Sequence, residues 1–424
     1  MKVNYLIFFG LLCFSCTPIP QSSTNSSSNP KSLQLIDKSY EAQIKTVLLY
    51  PLGSPQLPPV IQLGKSSLVL QFDDLVGQND TYYARIEHCN YDWTPSQLQH
   101  LDYLAVFNEF PINNFEFSVD THVPYIHYWM TLPQVKLPGN YVLVVYRGDD
   151  KDDIVLSRRF MVFEPRVFFK DMKNLIGAGN VANISQQMNF TVNYKDIEIL
   201  NPMVDVHVNL RQNQRWDNMA RDVRPSFVRE IEKELEYRFF EESQIFRGGN
   251  EFRFFDLRSL NYPGRNVNRV DRTKKPYEAF IEPDKSRRGQ PYAQYNDLDG
   301  GFKLDNYDYR SLAFSNYVDV NFTLNSPPVN GEVYVNGAFN YWALNQDNRM
   351  RYDSATHQYK LKALMKQGWY DYQYQVQSSS VPSDYFEGSH FESENFYEIF
   401  VYYKSIRPSA DLLIGYQMMI RNPR

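Results

Sequence analysis

The stretch YVDVNFTLN, residues 317–325, places Val318, Val320, Phe322 and Leu324 on one side of an extended chain and Asp319, Asn321 and Thr323 on the other. A period of two with one apolar and one polar face is the pattern of a strand buried on one side. The alternation recurs in QMNFTVNY (187–194) through Met188, Phe190, Val192 and Tyr194, and in VDVHVNL (204–210) through Val204, Val206, Val208 and Leu210. YVLVVYRGDDKDDIVLSRRFMVFE (141–164) reads as two strands joined by an acidic turn, ending at Glu164-Pro165. SFVREIEKELEYRFF (226–240) is ambiguous. Ile231 and Leu235 stand four apart as on a helix, while Leu235, Tyr237 and Phe239 alternate as on a strand.

The whole chain supports that reading. Its 32 Tyr and 29 Phe favour strands and contact surfaces over helices. Short strands punctuated by Gly, Pro and Asn predict an all-β fold of stacked immunoglobulin-like β-sandwich domains. The expected division is a leader at 1–16, a linker at 17–40, a first β-sandwich at 41–164, a second β domain at 165–310 and a C-terminal sandwich at 311–424. The long Arg-rich connection DLRSLNYPGRNVNRVDRTKKP (256–276) falls in the second. No internal repeat is visible.

Charge and cysteine usage narrow the function. With 44 Lys and Arg against 49 Asp and Glu, and no basic stripe, nucleic acid is not an expected partner. The opening MKVNYLIFFGLLCFSC has a basic Lys2, an apolar run and a small Ser15 before Cys16, which is a secretory leader too short to span a bilayer stably. Ser15-Cys16 resembles a bacterial lipobox, so lipidation at Cys16 is expected, although Cys13 and Phe14 depart from the usual residues. Cleavage before Cys16 leaves only Cys89 besides it, so a lipidated chain has no disulfide framework. TPIPQSSTNSSSNPKS (17–32) reads as a flexible tether. Surface-exported lipoproteins of the Bacteroidetes carry acidic residues directly after the lipidated Cys. Their absence here points to the periplasmic face of the outer membrane.

A search for catalytic groups finds no G-x-S-x-G elbow, Walker loop or H-E-x-x-H pair, and no enzyme is expected. GAGNVA (177–182) fits a dinucleotide fingerprint formally, but a β-patterned run follows it, so it reads as a glycine-rich turn. His88, Cys89, His122 and His127 lack a second Cys at metal spacing and read as packed residues rather than a metal site. GDDKDD (148–153) and NDLDGG (296–301) lack the closing Glu of a calcium loop and read as solvated turns. No cofactor or small-molecule ligand is expected.

VYVNGAFNYW (333–342) resembles the G-x-F-N-x-W stretch of glycogen-binding modules through Gly337, Phe339, Asn340 and Trp342, with KQGWYDYQYQV (366–376) supplying a second segment around Trp369. Sugar platforms need exposed aromatic rings with polar neighbours. The Tyr-Lys-Phe run and second exposed Trp of such modules are missing, so Asn340, Trp342 and Trp369 stand as possible glycan or partner contacts only. A glycan-binding lipoprotein feeding an uptake porin is the alternative reading.

ARIEHCNYDWTPSQL, YIHYWMTLP, PGNYVLVVY, QNQRWDN, GGNEFRFFDLRSL, LMKQGWYDYQYQV and ESENFYEIFVYYK occur in this order. Together they resemble the plug proteins of the type IX secretion system of the Bacteroidetes, from about Ile44 to Gly415. The resemblance implies a periplasmic, outer-membrane-associated protein of stacked immunoglobulin-like domains. It further implies that the chain closes the periplasmic mouth of an outer-membrane translocon barrel. It supplies no contact residues.

Overall fold

The computed structural model describes residues 31–75, 78–170, 175–176, 183–238 and 246–423. Its elements are almost all strands, as the alternation predicts. The first sandwich has two sheets. One runs Ile44–Pro51, Leu68–Asp74, Ile126–Thr131, Asn114–Phe117; the other places Gly139–Arg147 between Ile154–Phe163 and Tyr82–Cys89. Leu70, Phe72 and Tyr128 from one sheet and Ile86, Leu143 and Val145 from the other form a common core. The hairpin read in 141–164 is present, with its turn held by Arg147, which bonds Asp153 and Glu41. Asp153 also bonds Lys31 at 2.6 Å, so this end of the GDDKDD turn is paired rather than solvated.

A second core gathers Phe190, Val192, Leu235 and Tyr237 with Val208, Leu210, Ile399 and Val401. The ambiguous segment is β: Phe227–Arg229 pairs antiparallel with Glu234–Tyr237 across a turn. Val206–Gln212 pairs with Asn395–Ser405, which pairs with Ala410–Arg421. The third core lies between these in sequence, from Phe255 to Phe386, and includes Val318, Val320, Phe322 and Leu324 as expected. The expected cut at 310 therefore falls inside a core. Arg253–Asp256 pairs with Gly368–Gln377, and the chain's last strands return to the second sandwich. Pairing follows the faces that can be buried together, not distance along the chain.

Two strands join the first and second sandwiches. In Gly139–Arg147, Tyr141, Leu143 and Val145 point into the first core. Val142 and Val144 point the other way, onto Phe400, Tyr402 and Leu413. In Asn395–Ser405, Tyr397, Ile399 and Val401 fill the second core while Phe400 and Tyr402 face the first sandwich. Continuous apolar runs such as YVLVVY and IFVYY are what burial on both faces requires. Tyr402 donates to Asn140 Oδ1 across this junction at 2.9 Å.

The first and third sandwiches meet around a buried charge. Asp73 is fully buried, and its Oδ2 accepts bonds from Lys366 Nζ and the Tyr317 hydroxyl, both at 2.7 Å. His127 Nδ1 lies 2.6 Å from Oδ1. The Lys366 ammonium sits 4.0 Å from the centre of the Tyr125 ring. Thr46, at φ 53° on a bulge in Ile44–Pro51, is aimed at the Tyr317 hydroxyl. A left-handed backbone at a β-branched residue is costly and persists only where its surroundings fix it. Burial pushes the Asp73 carboxyl up, but Lys366 and His127 outweigh it and hold it below its ordinary value.

Removing one member of such a pair strands the other in a dry site. Lys366→Ala is expected to cost about 3–5 kcal/mol, read as a lower urea midpoint. Because the folded pKa of Asp73 is depressed, its contribution is complete above about pH 4 and is lost as pH falls through the folded value. Asp73→Asn should therefore flatten the acid limb of the stability–pH curve; an unchanged limb would assign acid sensitivity elsewhere.

Candidate functional site

The G-x-F-N-x-W segment folds as a tight turn after the strand Glu332–Asn336. Asn340 is consumed in building it: its Oδ1 accepts from Gly337 N and its Nδ2 donates to Val335 O. Tyr341 and Trp342 follow at φ 58° and 59°. Asn336 Nδ2 donates to Trp342 O, fixing the exit. These bonds hold backbone, so one donor and one acceptor of the Asn340 amide serve the turn itself.

Trp342 is 4% exposed. Its ring lies under the Arg215 guanidinium, 4.4 Å away, and beside Phe252. Gly300, at φ +80°, lies so close that a Cβ there would come within 2.5 Å of the indole. The ring fills the junction between the second and third sandwiches and is no platform. Trp369 is half-buried: it stacks on Phe254 at 4.4 Å, and its Nε1 donates to Asp371 Oδ1 at 3.0 Å. Arg258 lies 5.2 Å from the same ring. The three residues thus belong to one turn and one packed strand, and both indole rings are occupied by protein.

Asp371 is the chemically unusual group nearby. Burial and the charge of Asp297 push its carboxyl up to about 8, while Leu298 N, Gly300 N and Trp369 Nε1 donate to it and pull it back. NDLDGG is therefore a packed turn, with Asp297 also accepting from Phe252 N. Asp371 and Asp297 are bound to the protein's own backbone, and no cluster of three metal-ligating side chains occurs among the described residues.

His88 is buried between the Tyr103 and Tyr141 rings and its pKa is pushed down to about 4 by burial, which keeps it neutral. Gly139, at φ +158°, is needed there because a Cβ would lie 2.5 Å from His88 Nε2. Cys89 is buried, and its thiol is pushed up to about 12, so it is a packed, unreactive side chain. His127 faces Asp73, and His122 lies against Tyr277 at 4.1 Å. The histidines and Cys89 are dispersed over separate packing sites. Cys16 and GAGNVA lie outside the described residues.

The geometry of these residues assigns no function by itself, so relatives carry the assignment. The family described as "Type 9 secretion system plug protein 1st domain" matches residues 44–164. Those limits span most of the first sandwich, to which Lys38–Ser39 adds a short strand beside Ile154–Phe163. The crystal structure of a hypothetical protein from Parabacteroides merdae is 30% identical, covers 92% of this chain and 100% of its own, and superposes with a TM-score of 0.86. No curated protein matches. The chain belongs to the type IX secretion system plug protein family. That family is a structural component of a secretion system and not a known enzyme family. Membership implies a place in the cell envelope, and no helix among the described residues is long and apolar enough to cross a membrane.

What sequence reading missed are the groups at the junctions: Asp73, Lys366, Arg211 and Glu398. Isolated charges inside apolar strands were the available signal. Trp342→Ala should cost about 3–5 kcal/mol, as loss of a buried ring does, measured by urea unfolding. The intact protein should migrate unretarded in glycogen-containing native gels; retardation relieved by Trp342→Ala without loss of stability would restore the platform.

Proposed function

We propose that this chain is a lipid-anchored, non-catalytic periplasmic protein that sterically closes the periplasmic opening of the type IX translocon barrel. Family membership supports a role in type IX secretion. The observation that carries the finer reading is the mutual bonding of three sandwiches. The first meets the second through apolar faces and the third through Asp73 and Lys366. The second meets the third through Arg247 and Asp384, and through Arg215 over Trp342. A stopper must resist deformation, and a body braced at three junctions does so without any bond-making chemistry.

Anchoring at Cys16 would raise the local concentration at the membrane, and the polar residues 17–30 would give the body reach. Release requires that arriving cargo or its carrier bind the unplugged state better than the plugged one, since only differential affinity shifts an equilibrium.

Deleting the gene should raise uptake of a large hydrophilic antibiotic, and re-expression should restore the barrier. Unchanged permeability in cells with cargo-free barrels would defeat the reading. Cys16→Ser should move the protein from the outer-membrane fraction to the soluble periplasm while leaving its unfolding midpoint unchanged. Retention of that variant in the membrane fraction would remove the lipid from the mechanism.

A further inference from the structure

The strand Asn114–Phe117 closes one sheet of the first sandwich and, among the described residues, pairs with no strand on its outer side. All four of its residues are exposed, including Phe115 at 39% and Phe117 at 53%. Natural edges of this kind are normally blunted by charge, proline, a bulge or a covering loop. Here a single Glu116 stands between two phenylalanines.

The hydrogen-bonding direction follows from the register. Ser118 N donates to Tyr125 O at 2.9 Å, and the antiparallel pairs continue as Phe117 with Ile126, Glu116 with His127, Phe115 with Tyr128 and Asn114 with Trp129. In such a ladder alternate residues exchange bonds inward. Ser118, Glu116 and Asn114 therefore bond to Ile126–Thr131 or the residue before it, and Phe115 and Phe117 turn their N–H and C=O groups to the open side. Their rings share one face, 5.7 Å apart, and Phe115 leans on the core residue Tyr128. The apolar face of the sheet thus runs out to its rim without a cover. It continues through Val119, whose N–H donates to Ala313 O of the third sandwich, beside the exposed Leu312.

The geometry points to strand addition: an extended segment of the secretion partner pairs with Phe115 and Phe117 and completes this sheet. Main-chain bonds would supply the register, and apolar side chains at alternate positions of the incoming segment would cover the two rings. Glu116 points to the opposite face and selects a basic or neutral residue across from it. That charge disfavours a second copy of this chain, because a two-fold pairing centred on this strand sets Glu116 against its own counterpart. Residues 17–30 are equally unsuited, since Ile19 is their only apolar residue apart from proline. The inference rests on the plugging proposal for the identity of the partner, the translocon barrel complex.

Phe117→Pro tests it. The substitution deletes one outward N–H and one ring, but no inward ladder bond, and proline is tolerated at edges for that reason. Full-length tagged protein is used to capture the translocon barrel from detergent-extracted outer membranes of cells lacking the chromosomal copy. Phe117→Pro should retain at least tenfold less barrel than the unaltered protein, at an unchanged melting midpoint, and Phe115→Pro should behave alike. In the complex, the amides of Phe115 and Phe117, fast to exchange in the free protein, should become slow. This exchange measurement stands even if both proline variants fold poorly. Barrel capture by a folded Phe117→Pro at the normal level, or fast exchange of these amides in the complex, would overturn strand addition and leave the plug intact. Failure of the unaltered protein to capture the barrel would overturn the plugging proposal itself and this inference with it. A dimer of the free protein that Phe117→Pro dissociates would assign the edge to a second copy and overturn the inference.

Discussion

Gly139–Arg147 and Asn395–Ser405 each send side chains into two cores at once, and the arrangement of the molecule depends on that double burial. Val142 and Val144 against Phe400 and Tyr402 make a dry layer between two sheets that belong to different sandwiches. Separating them would expose four large apolar side chains and leave Asn140 and the Tyr402 hydroxyl without their mutual bond. At roughly 1.5–3 kcal/mol for each large side chain, the apolar contribution is several times that of one hydrogen bond. The sandwiches are therefore parts of one body rather than beads on a string.

Buried ions play a different part from this apolar layer. Arg211 is fully buried and sits directly opposite Glu398 in the ladder, with bonds of 2.6 and 2.7 Å to its two carboxylate oxygens. Trp216 and Phe400 cover the guanidinium. The net stabilisation of such a pair over an apolar pair is small or even unfavourable, because both ions lose water. Its effect is on register. Slipping the strand by one residue would turn Arg211 to the other face and leave Glu398 alone in a dry core. The long-range pairing of 206–212 with 395–405 brings together segments separated by the whole third sandwich, so a register lock matters most there. Asp73 with Lys366 joins the first and third sandwiches by side chains alone, since their strands share no ladder.

Much of this was visible in the residues, and what was not has a common cause. Alternation located the strand Tyr317–Asn325 and the buried Val318, Val320, Phe322 and Leu324, though not the buried Tyr317 on the other parity, and it located the hairpin of 141–164. VDVHVNL was read as beginning at Val204, but Asn201–Pro202 starts a helical turn and the strand begins at Val206. Periodicity records that a face is buried and not against what. It could not show that Asn395–Ser405 returns to Val206–Gln212, nor that Trp342 of the glycogen-binding-like stretch faces Arg215 and Phe252 rather than solvent. Residue type at a motif position is local; burial is decided by a partner far along the chain.

On the plugging proposal, the bracing also constrains how the chain could leave a pore. Allosteric coupling between sites is typically worth about 1–3 kcal/mol. Bending the body at an internal junction would expose the dry layer of Val142, Val144, Phe400 and Tyr402, at roughly 1.5–3 kcal/mol for each large side chain. An arriving partner would therefore open the channel at lower cost by competing for the outer contact surface than by bending the body at an internal junction. The exposed rim at Phe115 and Phe117 suits that competition, because strand pairing is made and lost residue by residue from an end and needs no rearrangement behind it. On the plugging proposal a rigid interior and an unfinished edge are complementary: one would resist pressure from solutes, and the other would let a second segment displace the first.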